Sequence, residues 1–348
     1  MIYISIILSA YNHEKTIQQC LESVIAQENA DMQMECIVVD DCSTDETLSI
    51  IRKMVGSYRG NIAFHIYRHQ THHGLSRSRN TGLQRAQGYY VLFVNGADQL
   101  RFGCVDTYMV NLMRHWDVDV IAGNAYNMFL KRNLFVNINS AMELCGKGDV
   151  LCNEMLRNHL YLYANNKLIR REVLVANQVM FDESMEYADF HWAFSLFSCA
   201  SSVVMIPDIT YEYGIRETGA IGQTEKWVNV LLASYTATCE MLLDKAPRPE
   251  GSVEGYYQAH QLFVYGLLSH ANRLMEEFNV NSQVLRELSS IRSRLLTQTK
   301  NDGQKILHLF LKQDSSIFRG LISKNPVFRN YRRVVDDITE MLGVVVGR

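Results

Sequence analysis

The sequence predicts an α/β fold with a mainly parallel sheet over its first two thirds and a helical region after it. Short apolar runs alternate with segments whose apolar residues recur at helical spacing, the pattern of strands buried on both faces and joined by crossover helices. Three of those runs end in polar clusters, at Tyr11-Asn12, Asp40-Asp41 and Asn95–Asp98. Open α/β sheets bind ligands beyond the carboxyl ends of their strands, so three clusters at equivalent places point to one site. The length of 348 residues suits about two domains at roughly 150 residues each.

The elements follow in order. Ile2–Leu8 reads as the first buried strand, and Ile17, Cys20, Leu21, Val24 and Ile25 form the apolar stripe of the first helix. Cys36–Val39 is the second strand. Ser43 or Thr44 is placed to cap the next helix, which carries Leu48, Ile51 and Val55. Ile62–Tyr67 is a third strand, Leu75–Ala86 a helix with Gly88 as its C-cap, Tyr89–Val94 a fourth strand and Val118–Ala122 a fifth. After about residue 223 the pattern is helical: Trp227–Leu243, Tyr256–Phe278, Val284–Leu296, Ile306–Leu311 and Tyr331–Leu342, with a linker signal at Lys245–Ser252. The expected organisation is residues 1–222 as the α/β domain and 223–348 as a helical extension or small helical domain.

Composition removes several function classes. The net charge of −3 lacks the basic excess of a dedicated nucleic-acid binder. The eight cysteines include no C-x-x-C and read as reduced core residues. No apolar stretch reaches the roughly 20 residues of a membrane span, and the N-terminus lacks the basic region of a signal peptide. The expected location is therefore the cytoplasm, with the inner face of a membrane as a further expectation. A basic tail at Arg329, Arg332 and Arg333 suggests peripheral membrane contact or a homo-oligomer through the C-terminal helices, beside the plainer reading of a solvated helix face. The first βα turn has no G-x-G-x-x-G, and neither H-E-x-x-H nor G-x-S-x-G occurs, so nicotinamide, zinc-protease and hydrolase-elbow chemistries lack support.

Four segments carry a family resemblance. ISIILSAYNHEKTIQQCLESVIAQ (4–27) resembles the opening strand and helix of family 2 glycosyltransferases with the GT-A fold. ECIVVDDCSTDETLSII (35–51) is similar to that family's DD-x-S-x-D-x-T segment, and GLSRSRNTGLQRAQGYYVLFVNGAD (74–98) to its GLS-x-x-RN-x-G helix and DXD strand. ANNKLIRREVLVANQVMFDESMEYADFHWAF (164–194) resembles the acceptor-side segment with its Glu-Asp pair. The resemblance implies a GT-A, Rossmann-like nucleotide-diphosphosugar transferase domain. It would move a sugar from a nucleotide-sugar, UDP-linked by the matching residues, to a glycan or lipid-linked acceptor with inversion.

The resemblance also assigns residues. Tyr11, Glu14, Asp41, Arg79, Asn95 and Asp98 form the nucleotide-sugar-binding set, with Tyr11 against the uracil face and Asp41 accepting from the imide N–H. Asp189 matches the general base that takes the acceptor hydroxyl's proton. Asn80 is expected to hold a loop, and Asp45 to serve the start of a helix. Plainer readings stand beside these: a packed strand-end tyrosine, a turn aspartate at Asp41, a solvated helix arginine at Arg79 and a helix-capping acid at Asp189.

Two departures alter the expectation. The family's Asp-x-Asp-Asp appears as Asn95-Gly96-Ala97-Asp98, so Ala97 replaces the usual metal-binding aspartate and only Asp98 remains as a carboxylate ligand. This weakens the case for Mg²⁺ or Mn²⁺, which need several oxygen ligands. Cationic side chains would then neutralise the leaving diphosphate, the candidates being Arg79, Arg101, His69, His72 and His73. The Glu-Asp pair appears as Ala188-Asp189. Both departures support an alternative: a non-catalytic relative that binds nucleotide or serves as an assembly subunit.

Overall fold

A computed structural model of the chain describes residues 3–115, 117–128, 132–133, 140–146, 163–185, 188–214, 225–245, 271, 275 and 279–298. The first seven elements alternate as expected: β1 (Ile4–Ala10), α1 (Ile17–Ile25), β2 (Met34–Asp40), α2 (Thr47–Ser57), β3 (Ala63–Arg68), α3 (Leu75–Leu83) and β4 (Tyr90–Asn95). β5 (Gln99–Leu100), α4 (Cys104–Arg114), β6 (Val120–Asn127), β7 (Arg132–Asn133) and β8 (Met142–Cys145) follow. Then come β9 (Lys167–Arg170), α5 (Arg171–Ala176), α6 (Asp189–Cys199), β10 (Ser202–Tyr213), α7 (Glu225–Lys245) and α8 (Ser282–Gln298).

The strands form one ten-stranded sheet in the order β3-β2-β1-β4-β9-β6-β10-β5, with β7 on β6 and β8 on β10. β1 lies inside it between β2 and β4, parallel to both, and every residue of β1 and β2 is buried. That is why their sequences are near-continuous apolar runs. α1 buries Ile17, Cys20, Leu21 and Val24 at helical spacing. α3 approaches β1 closely, because at Gly82 a Cβ would run into the Ile7 side chain.

The sheet is less parallel than the sequence suggests. β9 pairs antiparallel with both β4 and β6, and β10 is parallel to β6 but antiparallel to β5 and β8. β9 spans only four residues, too few for a periodic signal. β10 contains Pro207, and its pairing with β6 shifts register between Met205 and Ile209. A proline normally demotes a run as strand, and here the irregularity accommodates it.

Two expected caps differ. Ser43 and Thr44 do not cap α2; Asp45 Oδ1 accepts from Thr47 N at 3.0 Å and Glu14 Oε2 accepts from Glu46 N at 3.2 Å. The helix starts later than the hydroxyls because the 43–44 segment is tied back to Asn12. α3 ends at Leu83, with Gln84 rather than Gly88 at its C-cap. Gly88 packs against β1: its N–H donates to Ser5 Oγ at 2.8 Å, and a Cβ there would lie 2.6 Å from Ser5 N.

The chain separates into two compact units, the strands lying in the first and α7 and α8 in the second. In the second unit α7 buries Val228, Leu231, Leu232 and Tyr235, and α8 buries Val284, Leu288 and Ile291. Thr236 Oγ1 donates to Glu287 Oε2 at 3.1 Å between them. These helices match the patterns at Trp227–Leu243 and Val284–Leu296. The helices expected at Ile306–Leu311 and Tyr331–Leu342, the linker after Lys245, the basic tail and nearly all of Tyr256–Phe278 lie outside the described residues. Among the described residues no helix is long and apolar enough to cross a membrane.

Candidate active site

The carboxyl ends of β1, β2 and β4 converge as the polar clusters suggested. The β1–α1 and β2–α2 loops are laced together: Asn12 N donates to Ser43 Oγ at 3.0 Å, Thr44 N to Asn12 Oδ1 at 2.8 Å and Glu14 N to Asp45 Oδ2 at 3.0 Å. Partial burial pushes the Asp45 carboxyl up, but hydrogen bonds from Thr47 and from Glu14 N outweigh it and hold the group below the usual carboxylate range. Asn12 and Cys42 both have left-handed backbone, with φ of 52° and 64°. Such residues cost energy and collect where loops are over-determined around a site. Glu14 is exposed and serves this lacing.

Tyr11 and Asp41 face one subsite above β1 and β2. The Asp41 carboxylate is buried and is surrounded by donors. Gly74 N donates to Oδ2 at 2.7 Å, and His73 N lies 3.0 and 3.2 Å from Oδ1 and Oδ2. His69 Nδ1 is 2.6 Å from Oδ1, and its Nε2 is 3.0 Å from Thr81 Oγ1. His72 Nδ1 is 2.8 Å from Oδ2, and the His72 ring stacks on Tyr11 with centroids 3.8 Å apart and planes 23° apart. Asp40 is turned away, toward Ser43 N and Arg68 Nε at 3.3 Å each.

A second cluster lies beyond β4. Arg79, on α3, is buried and not solvated. Its Nη1 donates to Asp189 Oδ1 at 2.9 Å and Oδ2 at 3.0 Å, and its Nη2 to Asn95 Oδ1 at 3.3 Å. The guanidinium lies 4.9 Å from the centre of the Phe181 ring, which stacks on Trp192. Ala164 N adds a bond of 2.9 Å to Asp189 Oδ1. Asn80 holds the segment before Asp189, through bonds of 2.9 Å to Phe181 O, from Phe181 N and to Glu183 Oε1. Asn95 Nδ2 donates to Asp98 Oδ2 at 3.0 Å. Asp98 is buried; Tyr211 Oη also donates to its Oδ2 at 2.8 Å, and Gly214 N to its Oδ1 at 3.0 Å.

The residues present do not fit a divalent cation at Asn95–Asp98. Ala97 offers no ligand atom, Asn95 Oδ1 faces a guanidinium, and both oxygens of Asp98 accept from protein donors. Among the described residues no group of three or more His, Cys, Asp or Glu side chains could hold a metal ion. Asn95 has a clear physical role instead. Its amide turns a donor to Asp98 and an acceptor to Arg79, whereas an aspartate there would set two carboxylates side by side.

The candidate cations are all engaged. Arg101 pairs with Glu212, His69 and His72 with Asp41, and His73 Nε2 lies 3.0 Å from Thr71 Oγ1. Lys167, Tyr211 and Ala164 escaped the sequence reading. Lys167 is fully buried; Nζ donates to Tyr163 O at 2.6 Å and Asn166 Oδ1 at 3.2 Å. Burial pushes its ammonium down to about 7, against the upward pull of Asp189. A lysine at the start of a short strand gave no sequence cue, although it lies in the quoted 164–194 segment. Glu186, the acid three residues before Asp189 that could assist it as base, lies outside the described residues.

A parallel β-α-β half with polar strand ends, continued by strands that pair antiparallel, is the arrangement of the GT-A class of nucleotide-sugar transferase folds. Residues 5–176, just under half of the chain, match the model of "Glycosyl transferase family 2", and this part of the chain belongs to that family. Staphylococcus aureus TarS, a poly(ribitol-phosphate) β-N-acetylglucosaminyltransferase, is 28% identical over 223 residues, which cover 63% of this chain and 36% of TarS. Glycosyltransferase GlyA of Streptococcus pneumoniae is 25% identical over 306 residues, covering 82% of this chain and 42% of GlyA. The chain thus spans well under half the length of either relative. The crystal structure of S. aureus TarS 1-349 in complex with UDP-GlcNAc superposes with a TM-score of 0.67 at 20% identity, covering 97% of this chain and 92% of that one.

Proposed function

We propose that the protein transfers a sugar from a UDP-sugar to a glycan or lipid-linked acceptor with inversion, and that Asp189 is the base. The observation that carries this is the juxtaposition of Tyr11 and Asp41 just past the ends of β1 and β2, both in contact with His72, together with Asp189 held at the start of α6 by Arg79 of α3. Tyr11 offers a face for the uracil, and Asp41 a carboxylate for its imide N–H. TarS, whose solved complex holds UDP-GlcNAc, supports a uridine donor.

In this reading the acceptor oxygen attacks the anomeric carbon as the bond to the UDP oxygen breaks. The hydroxyl proton passes to Asp189, and UDP leaves as the anion. Oδ2 of Asp189 accepts from Arg79 alone among the described residues, whereas Oδ1 accepts from Arg79 and Ala164. Oδ2 is therefore the oxygen with a lone pair to spare. Arg79 sets the direction of that lone pair. Tight UDP-sugar binding with complete loss of transfer in Asp189→Asn is the expected result; full transfer by that variant would exclude Asp189 as base.

The Asn95–Asp98 geometry favours a second reading, a non-catalytic nucleotide-binding subunit. UDP titration by calorimetry, run beside a UDP-sugar turnover assay with several acceptors, separates the two. Binding without any turnover would establish the second reading. The domain limits 1–222 and 223–348 are proposed with it, the chemistry residing in the first. Peripheral membrane contact or a homo-oligomer through the C-terminal helices belongs to the same proposal.

A further inference from the structure

His72 is arranged like a ligand of the subsite it occupies. A nucleobase bound between Tyr11 and Asp41 would place a flat ring on Tyr11 and point a ring N–H at the carboxylate. The His72 imidazole does both: its ring stacks on Tyr11 at 3.8 Å, and its Nδ1 faces Asp41 Oδ2 at 2.8 Å. We propose that His72 is a placeholder for the nucleobase, occupying the base subsite of the empty protein and yielding it when the base enters.

The groups around Asp41 show why His72 is the one that leaves. His73 N and Gly74 N are main-chain donors, fixed by the loop that leads into α3. The His69 side chain is 12% exposed and is anchored at its far nitrogen by Thr81. The His72 side chain is 50% exposed and turns into the subsite from the surface. Its departure frees one acceptor site on Oδ2 and one face of Tyr11, and leaves the other donors in place. A base then has to replace a ring N–H donor. Uracil and guanine carry such a group on their pairing edge, whereas the corresponding ring nitrogen of cytosine is an acceptor. The Asp41 oxygen that His72 gives up, an acceptor, thereby sets the chemistry that can displace the ring.

A placeholder taxes affinity by the fraction of molecules in which it is out of place. If the ring is in place about nine tenths of the time, its removal tightens binding about tenfold. This inference rests on reading Tyr11 and Asp41 as the base subsite, so the test keeps the two apart.

The full chain and its His72→Ala variant are titrated with UDP and CDP by calorimetry, and the histidine ring protons are followed by NMR, His72 being assigned by its loss in the variant. The expected results are severalfold to tenfold tighter UDP binding in His72→Ala, and a ring-current-shifted His72 signal that moves toward the free-imidazole position with UDP but not with CDP at the same concentration. UDP binding by the wild-type protein with an unmoved His72 signal, or equal or weaker UDP binding in His72→Ala, would overturn the placeholder and leave the donor reading intact. Displacement by CDP as readily as by UDP would also overturn it. No UDP binding by either protein would sink both.

Discussion

Arg79 Nη1 lies within 3.0 Å of both carboxylate oxygens of Asp189, across 110 residues of sequence, with the pair buried between α3 and α6. One donor bridging two oxygens fixes the carboxylate in rotation as well as in position. Removing one partner of a buried pair strands the other charge, at about 3–5 kcal/mol. Arg79→Ala is expected to lower stability by about that amount in urea titrations. The double variant Arg79→Ala/Asp189→Asn should lose clearly less than the two single losses combined, because no bare charge remains. Additive losses would show that the pair is not coupled.

Lys167 gives the protein a pH-dependent stability of known sign. Its folded value of about 7 lies below the ordinary lysine value of 10.5, so between them the unfolded chain binds more protons. Stability therefore rises with pH across that window. The cost of burying Lys167 is fully present below about pH 7 and is gone above 10.5. Between pH 7 and 9 the wild-type protein should gain about 2 kcal/mol relative to Lys167→Met, read from denaturation midpoints at the two pH values. A constant difference would place the Lys167 titration elsewhere.

The buried Asp98 carboxylate accepts from Asn95, Tyr211 and Gly214. Tyr211→Phe removes the donor at 2.8 Å and leaves a buried carboxylate oxygen short of a partner. The expected loss is about 1–3 kcal/mol, visible as a lowered Tm. Burial and the neighbouring Asp98 charge hold the Tyr211 phenol well above its ordinary range, so alkali should not reproduce the effect near pH 10.

Ala97 is the testable residue of the altered metal element. UDP affinity of the wild-type protein is expected to be unchanged by EDTA or Mn²⁺. Ala97→Asp, on a half-buried position that admits a solvated carboxylate, should make UDP binding respond to Mn²⁺ in calorimetric titrations. A wild-type affinity that falls severalfold in EDTA would show that other residues hold the ion.

The close seat of α3 on β1 admits no side chain at Gly82, where a methyl would meet Ile7. Gly82→Ala is expected to destabilise by about 1–3 kcal/mol despite alanine's better helix propensity. Unchanged stability would mean that α3 can move away without loss.

The parallel half of the fold was legible because each strand there is buried on both faces, which writes an apolar run into the chain, and each helix buries one stripe. The positions of Tyr11, Asp41 and Asn95 followed from where those runs stop. β9 and β10 were not legible: one is four residues long and the other contains a proline, so neither carries a clean period. Ser43 and Thr44 do not cap α2 because loop-to-loop bonds from Asn12 and Glu14 engage that segment, and Gly88 packs on β1 instead of ending α3.

The sequence by itself determined the α/β order of the first half, the family and the strand ends that carry the site, since burial and periodicity are local records of the core. Only the tertiary structure decided what each polar group faces. It paired Arg79 with Asp189, turned Asn95 into a bridge between Arg79 and Asp98, and folded His72 onto Tyr11. Those contacts join residues far apart in the chain, and electrostatic and stacking partners at such separation leave no period for the sequence to display.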